Sequence, residues 1–239
     1  MGRNSQISST AIVVATLNEE EGIGPTLDEL CAVFGPSDIV VVDGRSTDKT
    51  VEIARSKGAH ILLQQGTGKG DAMFQGLRQL GSEVRYVVFT DADFTYPAEF
   101  IPKMIEILEH DPNIGMVLGN RFNGEHNFDM KASNPFYAGN RLLAFMQYAI
   151  NGIKLNDPLS GLRVVRAEIL KDLKLKSKGF DVEAELNSYV KQKGYNIAEI
   201  SIPYRQRLGE KKLKLRHGLE IMKRIVTESF SFPEYQQIG

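Results

Sequence analysis

Short apolar runs alternate with amphipathic helical segments along the first half of the chain, and this alternation constrains the fold most. The apolar runs are rich in β-branched residues, as buried strands are. Strands joined by helices of about a dozen residues form βαβ units, which predicts an α/β fold with a mainly parallel sheet and helices on both faces. The predicted strands are Ala11–Ala15, Asp38–Val42, His60–Gln64, Tyr86–Asp91 and Met116–Gly119. The predicted helices are Ile23–Phe34, Thr47–Lys57, a segment from Gly70 to Leu80, and Pro97–His110.

The second half of the chain is less regular. It opens with a polar stretch, Arg121–Pro135, of a length that is usually functional when it occurs inside a compact domain. The elements predicted after it are an apolar helix Pro135–Asn151, a strand Leu162–Val165, a helix Val182–Lys193, an extended segment Asn196–Ile202, a basic loop Tyr204–Lys212 and a helix Leu213–Phe230. We therefore expect a tail at 1–10, one α/β domain at 11–212, and an amphipathic helix with a tail at 213–239.

Composition excludes several classes of function. A net charge of −1 gives the chain no basic field for nucleic acid. The single cysteine, Cys31, rules out a disulfide framework and a cysteine-based zinc site, and the four histidines have no metal-ligand spacing. Residues 1–10 are polar, unlike a signal peptide, and no apolar run reaches the ~18–20 residues that span a bilayer. We expect a cytoplasmic protein, either free or peripheral on the cytoplasmic face of a membrane.

The strand Tyr86–Phe89 ends in two carboxylates, Asp91 and Asp93, separated by one residue. Open α/β sheets bind ligands at the carboxyl ends of their strands. At this spacing both carboxylates can face one hard cation, whose other positions are left for phosphate oxygens and water. The alternative is an Asp-rich turn that caps the next helix.

Other strand ends carry polar residues suited to a nucleotide. Asn18-Glu19 and Asp43 can accept hydrogen bonds from a base or a ribose, although Ser46 or Asp48 can equally cap the following helix. The loop Gly66–Gly70 is not a P-loop, because Leu63 stands at the first glycine of that motif and Gly70 follows Lys69. It also lacks the third glycine of the dinucleotide fingerprint. Glycines around Lys69 at a helix N-terminus can nevertheless approach a diphosphate closely.

Seven such motifs occur in series: Asn18-Glu19, Asp43 with Ser46-Thr47-Asp48, Gly68-Lys69-Gly70, Asp91-Ala92-Asp93, Gly119-Asn120-Arg121, Asp157 with Ser160-Gly161, and Gly209 to Leu213. In order and spacing, from about Ala11 to Leu213, they resemble the family 2 inverting glycosyltransferases of GT-A fold. Within these the chain is most similar to the dolichol-phosphate mannose synthase group, which includes polyprenyl-phosphate glucosyltransferases.

The resemblance implies a role for each matched residue. Asn18, Glu19 and Asp43 would hold the base and ribose, and Lys69 would approach the diphosphate. Asp91 would face the ribose or the metal, with Asp93 as the main ligand of Mg²⁺ or Mn²⁺. Arg121 would meet the acceptor phosphate, Asp157 would line the acceptor side, and Arg207 and Lys212 would clamp the leaving diphosphate.

The implied reaction is metal-dependent transfer of mannose or glucose from GDP-mannose or UDP-glucose to dolichyl or polyprenyl phosphate. Two alternatives stay open: a transferase acting on a small acceptor such as 3-phosphoglycerate, and a non-catalytic sugar-nucleotide-binding subunit. The chain departs from the family pattern at Asp43-Gly44, at Thr95, at Lys211-Lys212-Leu213, and before the long apolar helix, where only Lys131, Asn140 and Arg141 stand nearby. These departures leave the donor sugar open.

The last predicted helix pairs an apolar stripe with basic neighbours. The stripe comprises Leu215, Leu219, Met222 and Val226, and the flanking residues are Lys214, Arg216, Lys223 and Arg224. Such a helix can lie among lipid headgroups or dock on a membrane-anchored partner. The commoner arrangement in globular proteins, and the one we expect first, is that the stripe packs on the domain's own core.

Overall fold

Seven strands form one mixed sheet in the computed structural model, which describes residues 9–122, 135–203 and 205–230. The strands are β1 (Thr10–Thr16), β2 (Ile39–Asp43), β3 (His60–Leu63), β4 (Tyr86–Asp91), β5 (Ile114–Asn120), β6 (Arg163–Arg166) and β7 (Asn196–Ser201). Their order across the sheet is β3-β2-β1-β4-β6-β5-β7. Strand β6 is antiparallel to β4 and β5, and the other pairs are parallel. The predicted α/β fold with a mainly parallel sheet is confirmed.

The parallel register of β1 with its neighbours sets the position of the polar loops. Thr16 pairs with Asp43 on one side, and Ala15 pairs with Asp91 on the other. Asp43 in turn pairs with Leu63 of β3. Four strands therefore end at one level, and the loops that follow them emerge at the same edge of the sheet, where open α/β folds bind ligands.

Helices cover both faces of the sheet. They are α1 (Glu20–Val33), α2 (Thr50–Ser56), α3 (Lys69–Leu77), α4 (Ile101–His110), α5 (Pro135–Asn151), α6 (Ala167–Leu170), α7 (Val182–Gln192) and α8 (Arg216–Ser229). Side chains alternate across β1, so Ile12 and Val14 pack in the core layer that includes α1 and α4, whereas Val13 packs in the layer that includes α3 and α7. A third, smaller cluster joins α5, α7 and α8.

Element boundaries differ from the prediction where side chains bind the backbone. Helix α2 begins at Thr50 rather than Thr47, because the carboxylate of Asp48 accepts hydrogen bonds from the Thr50 N–H and hydroxyl. Pro97 does not open a helix. A short 3₁₀ turn, Ala98–Phe100, follows it, and α4 starts at Ile101. The short helix α6 was not predicted, and the predicted polar stretch Arg121–Pro135 lies almost wholly outside the described residues.

The expectation that the apolar stripe of the last helix packs on the core is wrong for three of its four residues. Leu215, Leu219 and Val226 are exposed, whereas Met222 is half-buried and packs against the third cluster. The buried apolar residues of α8 are Ile221 and Ile225, which lie on the next face of the helix and form the third cluster with α5 and α7. Among the described residues, no helix has both the length and the apolar character needed to cross a membrane.

Replacing Leu27 of α1 with Ala tests the core on that face of the sheet. Leu27 is fully buried, so the lost contacts and the cavity should lower the free energy of unfolding by about 3 kcal/mol. Leu63→Ala is the matched control, because that side chain is 56% exposed and its truncation should change stability by only about 0.5 kcal/mol. Urea unfolding of both variants measures the difference. Equal effects would contradict the assigned core.

Candidate functional site

A cleft of about 560 Å³ opens at the carboxyl edge of the sheet. Seven of the predicted site residues line it: Glu19, Lys69, Asp91, Asp93, Arg121, Arg207 and Lys212. The other three, Asn18, Asp43 and Asp157, lie outside the residues that line this cleft. The register of β1, β2 and β4 thus brings together side chains that are far apart in sequence.

Lys69 is held between two carboxylates at the centre of the cleft. Its Nζ lies 2.6 Å from Asp91 Oδ1 and 2.7 Å from Glu183 Oε1. Burial opposes the charge on Lys69, but the two carboxylates outweigh it and raise the pKa of the ammonium group. Burial likewise favours protonation of Asp91, yet Lys69 prevails and lowers the pKa of that carboxyl. Lys69 and Asp91 therefore both stay charged near neutral pH.

Asp93 connects the acidic strand end to the basic segment at 205–212. Its Oδ2 accepts a hydrogen bond from Arg207 Nη1 at 2.6 Å, and its Oδ1 accepts one from the Thr95 N–H at 3.0 Å. The chain turns sharply after Asp93, with Phe94 in the left-handed region at φ 66°. The Asp93 carbonyl also accepts from the Leu208 N–H. The basic segment is therefore fixed to the strand end through both backbone and side chain.

Glu19 forms ion pairs with Arg207 and Lys212, the two cations predicted to clamp the diphosphate. Lys212 Nζ lies 2.9 Å from Glu19 Oε1 and 2.6 Å from the Asn18 carbonyl oxygen, and Arg207 Nη2 also bonds to Glu19 Oε1. Burial nevertheless raises the pKa of Glu19 above its ordinary value, in spite of these cations. Arg207 thus bridges Glu19 and Asp93, and a diphosphate entering here would compete with both carboxylates for the same donors.

The carboxylates of Asp91 and Asp93 fit a divalent ion that is shared with a substrate. Both are hard oxygen ligands, and Mg²⁺ is commonly bound by one or two carboxylates together with substrate phosphates and water. Within the described parts of the chain, no group of three His, Cys, Asp or Glu side chains could form a complete protein cage. The metal-binding role of Asp91 and Asp93 stays a prediction.

Asp157 lies behind the cleft wall and orients Arg121. The carboxylate is fully buried, and its two oxygens accept from Arg121 Nε at 2.7 Å and Arg121 Nη2 at 2.8 Å. Asn140 Nδ2 donates to the same carboxylate at 2.8 Å, and Asp157 N–H donates to Glu199 Oε1. Because a bidentate pair fixes the plane of the guanidinium, Asp157 holds Arg121 in one orientation, and its predicted place on the acceptor side stays a prediction.

Asn18 and Asp43 join two loops. Asp43 is buried, and its carboxylate accepts from the N–H groups of Arg45 and Ser46 and from the Ser46 hydroxyl. Asn18 Oδ1 accepts from the Thr47 N–H at 2.8 Å. Both side chains therefore hold the loop at 45–47 in place through hydrogen bonds. Their direct contact with a nucleotide stays a prediction.

Two residues of the site, Glu183 and Tyr96, were missed in the sequence, and Gly161 was given no role of its own. Glu183 has no motif around it and reaches Lys69 from the first turn of α7. The Tyr96 hydroxyl accepts from the Gly161 N–H at 2.7 Å, and burial raises the pKa of Tyr96. Gly161 was noticed only as part of a motif. A Cβ there would overlap Asp91 Oδ2, so glycine is required for the close approach of this loop to the acidic strand end.

Aromatic and aliphatic side chains form the opposite wall of the cleft. The wall comprises Phe122, Phe136, Tyr137, Leu143, Leu159, Leu213 and Leu215. Phe122 and Tyr137 meet edge to face at 5.0 Å, and the ammonium group of Lys211 lies 3.2 Å above the centre of the Phe136 ring. Arg121 lies between this wall and the polar side, with its guanidinium over the rings of Tyr96 and Phe122. The cleft thus joins a charged half to an apolar half.

Comparison with known proteins gives consistent matches. The model of the family described as glycosyl transferase family 2 matches residues 11–174. A dolichyl-phosphate hexose transferase of Haloferax volcanii is 35% identical over 204 residues, which cover 85% of this chain and 86% of the relative. A dolichol-phosphate mannosyltransferase of Pyrococcus furiosus is 29% identical over 235 residues, covering 89% of this chain and 63% of the relative.

Among solved structures, glucosyl-3-phosphoglycerate synthase of Mycobacterium tuberculosis, in complex with Mn²⁺, UDP-glucose and phosphoglyceric acid, superposes with a TM-score of 0.74. It is 21% identical, and the match covers 96% of this chain and 82% of the other. At that identity the likeness concerns the fold, which is the GT-A fold expected from the sequence.

Replacing Asp157 with Asn tests the buried pair behind the wall. The change removes the buried carboxylate that bonds to Arg121 through two oxygens, which should cost about 3 kcal/mol of stability. The matched control is Asp28→Asn, which breaks the exposed pair with Lys57 and should cost less than about 1 kcal/mol. Urea unfolding compares the two variants, and a loss for Asp157→Asn as small as that of the control would exclude the positioning role.

Proposed function

The chain belongs to glycosyl transferase family 2, and from that premise we propose that it transfers a hexose from a nucleotide sugar to dolichyl or another polyprenyl phosphate, with inversion at the anomeric carbon. The observation that carries this proposal is the two-part cleft, in which a charged half with the cations Arg207 and Lys212 adjoins an apolar half beside Arg121. The name of the Haloferax volcanii relative, a dolichyl-phosphate hexose transferase, supports the same acceptor class.

In the charged half, Arg207 and Lys212 exchange their carboxylate partners for the diphosphate of the donor. The leaving nucleoside diphosphate gains negative charge as the glycosidic bond breaks, and fixed cations in a partly buried site stabilise that charge. Asp91 and Asp93 would hold Mg²⁺ or Mn²⁺, which supplies Lewis-acid neutralisation of the diphosphate when it is bound. The structural relative that holds Mn²⁺ and UDP-glucose supports this assignment.

In the apolar half, Arg121 and Lys211 bind the acceptor phosphate. Asp157 and Asn140 hold Arg121 in one orientation, so the phosphate oxygen can be directed at the anomeric carbon without a search. The acceptor phosphate is already anionic near neutral pH, so the reaction does not require a general base. The aromatic wall accommodates the first units of the polyprenyl chain, as apolar pockets do for ligands with few polar groups.

A transfer assay tests the proposal. The purified chain is incubated with radiolabelled GDP-mannose or UDP-glucose, Mn²⁺ and dolichyl phosphate, and we expect the label to move into the organic phase. In a parallel reaction 3-phosphoglycerate replaces dolichyl phosphate. Label in a small phosphorylated product would favour the water-soluble acceptor, and donor binding without any transfer would favour a non-catalytic subunit.

Replacing Asp93 with Asn tests the metal-binding role. The amide is isosteric but uncharged, so transfer by metal-stripped enzyme restored with Mn²⁺ should fall by about 10²–10³-fold. Asp28→Asn, which alters an exposed aspartate outside the cleft, serves as the control and should keep wild-type activity. Circular dichroism verifies that both variants fold. Near-normal transfer by Asp93→Asn would rule out this assignment.

A further inference from the structure

Large exposed apolar side chains are concentrated on one helix pair. Nine such residues occur in the described chain, and seven of them lie on α5 and α8 or directly at their ends. They are Leu142, Phe145, Tyr148, Leu215, Leu219, Val226 and Phe230. Single exposed apolar residues are ordinary on a protein surface, but a contiguous group of this kind marks an interaction site.

The exposed residues of each helix form one stripe. On α5 they recur every three residues, and on α8 the spacings of four and seven keep them on one side. The two helices contact each other and share a buried cluster with Leu143, Ile221 and Ile225. The two helices therefore lie side by side, with one stripe on each side of the line along which they meet.

Contacts with α7 show that both stripes point the same way. Gln147 and Asn151 of α5 donate to the Ala184 carbonyl and to the Ser188 hydroxyl of α7. Arg224 of α8 donates to Asp181 at the start of α7 at 2.9 Å. Each stripe is on the opposite side of its helix from these contacts. The stripes of α5 and α8 thus form one surface, which we call the α5–α8 face.

The charges around the α5–α8 face are mainly basic. Arg141 is the one charged residue of α5, and it is exposed. Arg216 and Lys223 are exposed on α8, and Lys214 is exposed just before it. Glu220 is the one exposed acidic side chain of that helix. An apolar surface with a basic rim complements a bilayer that contains anionic lipid, since apolar burial and electrostatic attraction then act together.

The α5–α8 face is continuous with the mouth of the cleft. Leu215 is exposed on the face and also lines the cleft, and Leu143 and Ile221 lie between the two. A lipid bilayer on this face would place the cleft mouth at the membrane surface. A polyprenyl phosphate could then present its phosphate to Arg121 while most of its chain stays in the membrane.

We propose that the α5–α8 face docks the protein on an anionic membrane surface, through the two apolar stripes and the basic rim. The binding itself needs no substrate, whereas its role in acceptor delivery rests on the proposed function. The two can fail separately, because membrane binding is measurable without nucleotide sugar or acceptor.

Co-sedimentation with vesicles of equal parts phosphatidylcholine and phosphatidylglycerol tests the docking face. The full chain should bind these vesicles, bind less at high salt, and bind weakly to vesicles of phosphatidylcholine alone. The double variant Phe145→Glu and Leu219→Glu should bind at least about tenfold more weakly, because two exposed apolar anchors are lost and two negative charges are added. Leu63→Glu is the matched control, since Leu63 is an exposed leucine on β3, outside the face, and it should bind like the wild type.

A second variant keeps the test valid if the double variant does not fold. Lys223→Gln leaves both stripes intact and should weaken binding about fivefold at low salt, with the difference vanishing at high salt. The proposal is overturned if the wild type does not bind the anionic vesicles, or if the folded double variant binds as tightly as the Leu63→Glu control. It is also overturned if light scattering shows a dimer that the double variant abolishes, since a second copy would then cover the face.

Discussion

The parallel pairing of β1 with β2 and β4 is the constraint on which the rest of the site depends. It ends the strands at one level and so gathers Glu19, Asp91 and Asp93 at one edge of the sheet. Carboxylates this close repel one another unless cations compensate them. The compensating cations come from elsewhere in the chain: Lys69 from the start of α3, and Arg207 and Lys212 from the segment before α8. The contacts that join α3 and the segment at 205–212 to this edge of the sheet meet this charge requirement.

The same ion pairs keep the site ready for an anionic ligand. Arg207 bonds to Glu19 and Asp93, so under the proposed function a diphosphate bound with a divalent ion would replace these partners and leave no cation buried alone. Lys69 bonds to both Asp91 and Glu183, so Glu183 would remain its partner if Asp91 bound the proposed metal.

The features of this structure that local sequence patterns encode can be predicted from the sequence. Strand–helix alternation predicts the fold, and the motifs together with the family resemblance point to seven of the residues that line the cleft. Glu183 and Tyr96 escape prediction because tertiary packing alone brings them to Lys69 and Gly161. The burial of Asp157 behind Arg121 likewise depends on a loop 36 residues away. The apolar pattern of helix α5 is the same as that of a core helix, so the sequence does not show which side of α5 is exposed. The structure shows it, because α7 packs against one side of α5 and the other side remains exposed.

The bond between Arg207 and Glu19 spans 188 positions of the chain, and this span has a consequence for the order of folding. Closing so long a loop costs more entropy than forming the local βαβ units, so the cation clamp is expected to assemble after the first half of the sheet. On the ribosome the first half of the sheet emerges before Arg207 and Lys212 do. A nascent chain can thus pair most of its parallel strands while its acidic edge still lacks these two cations, which arrive only when the segment at 205–212 has emerged.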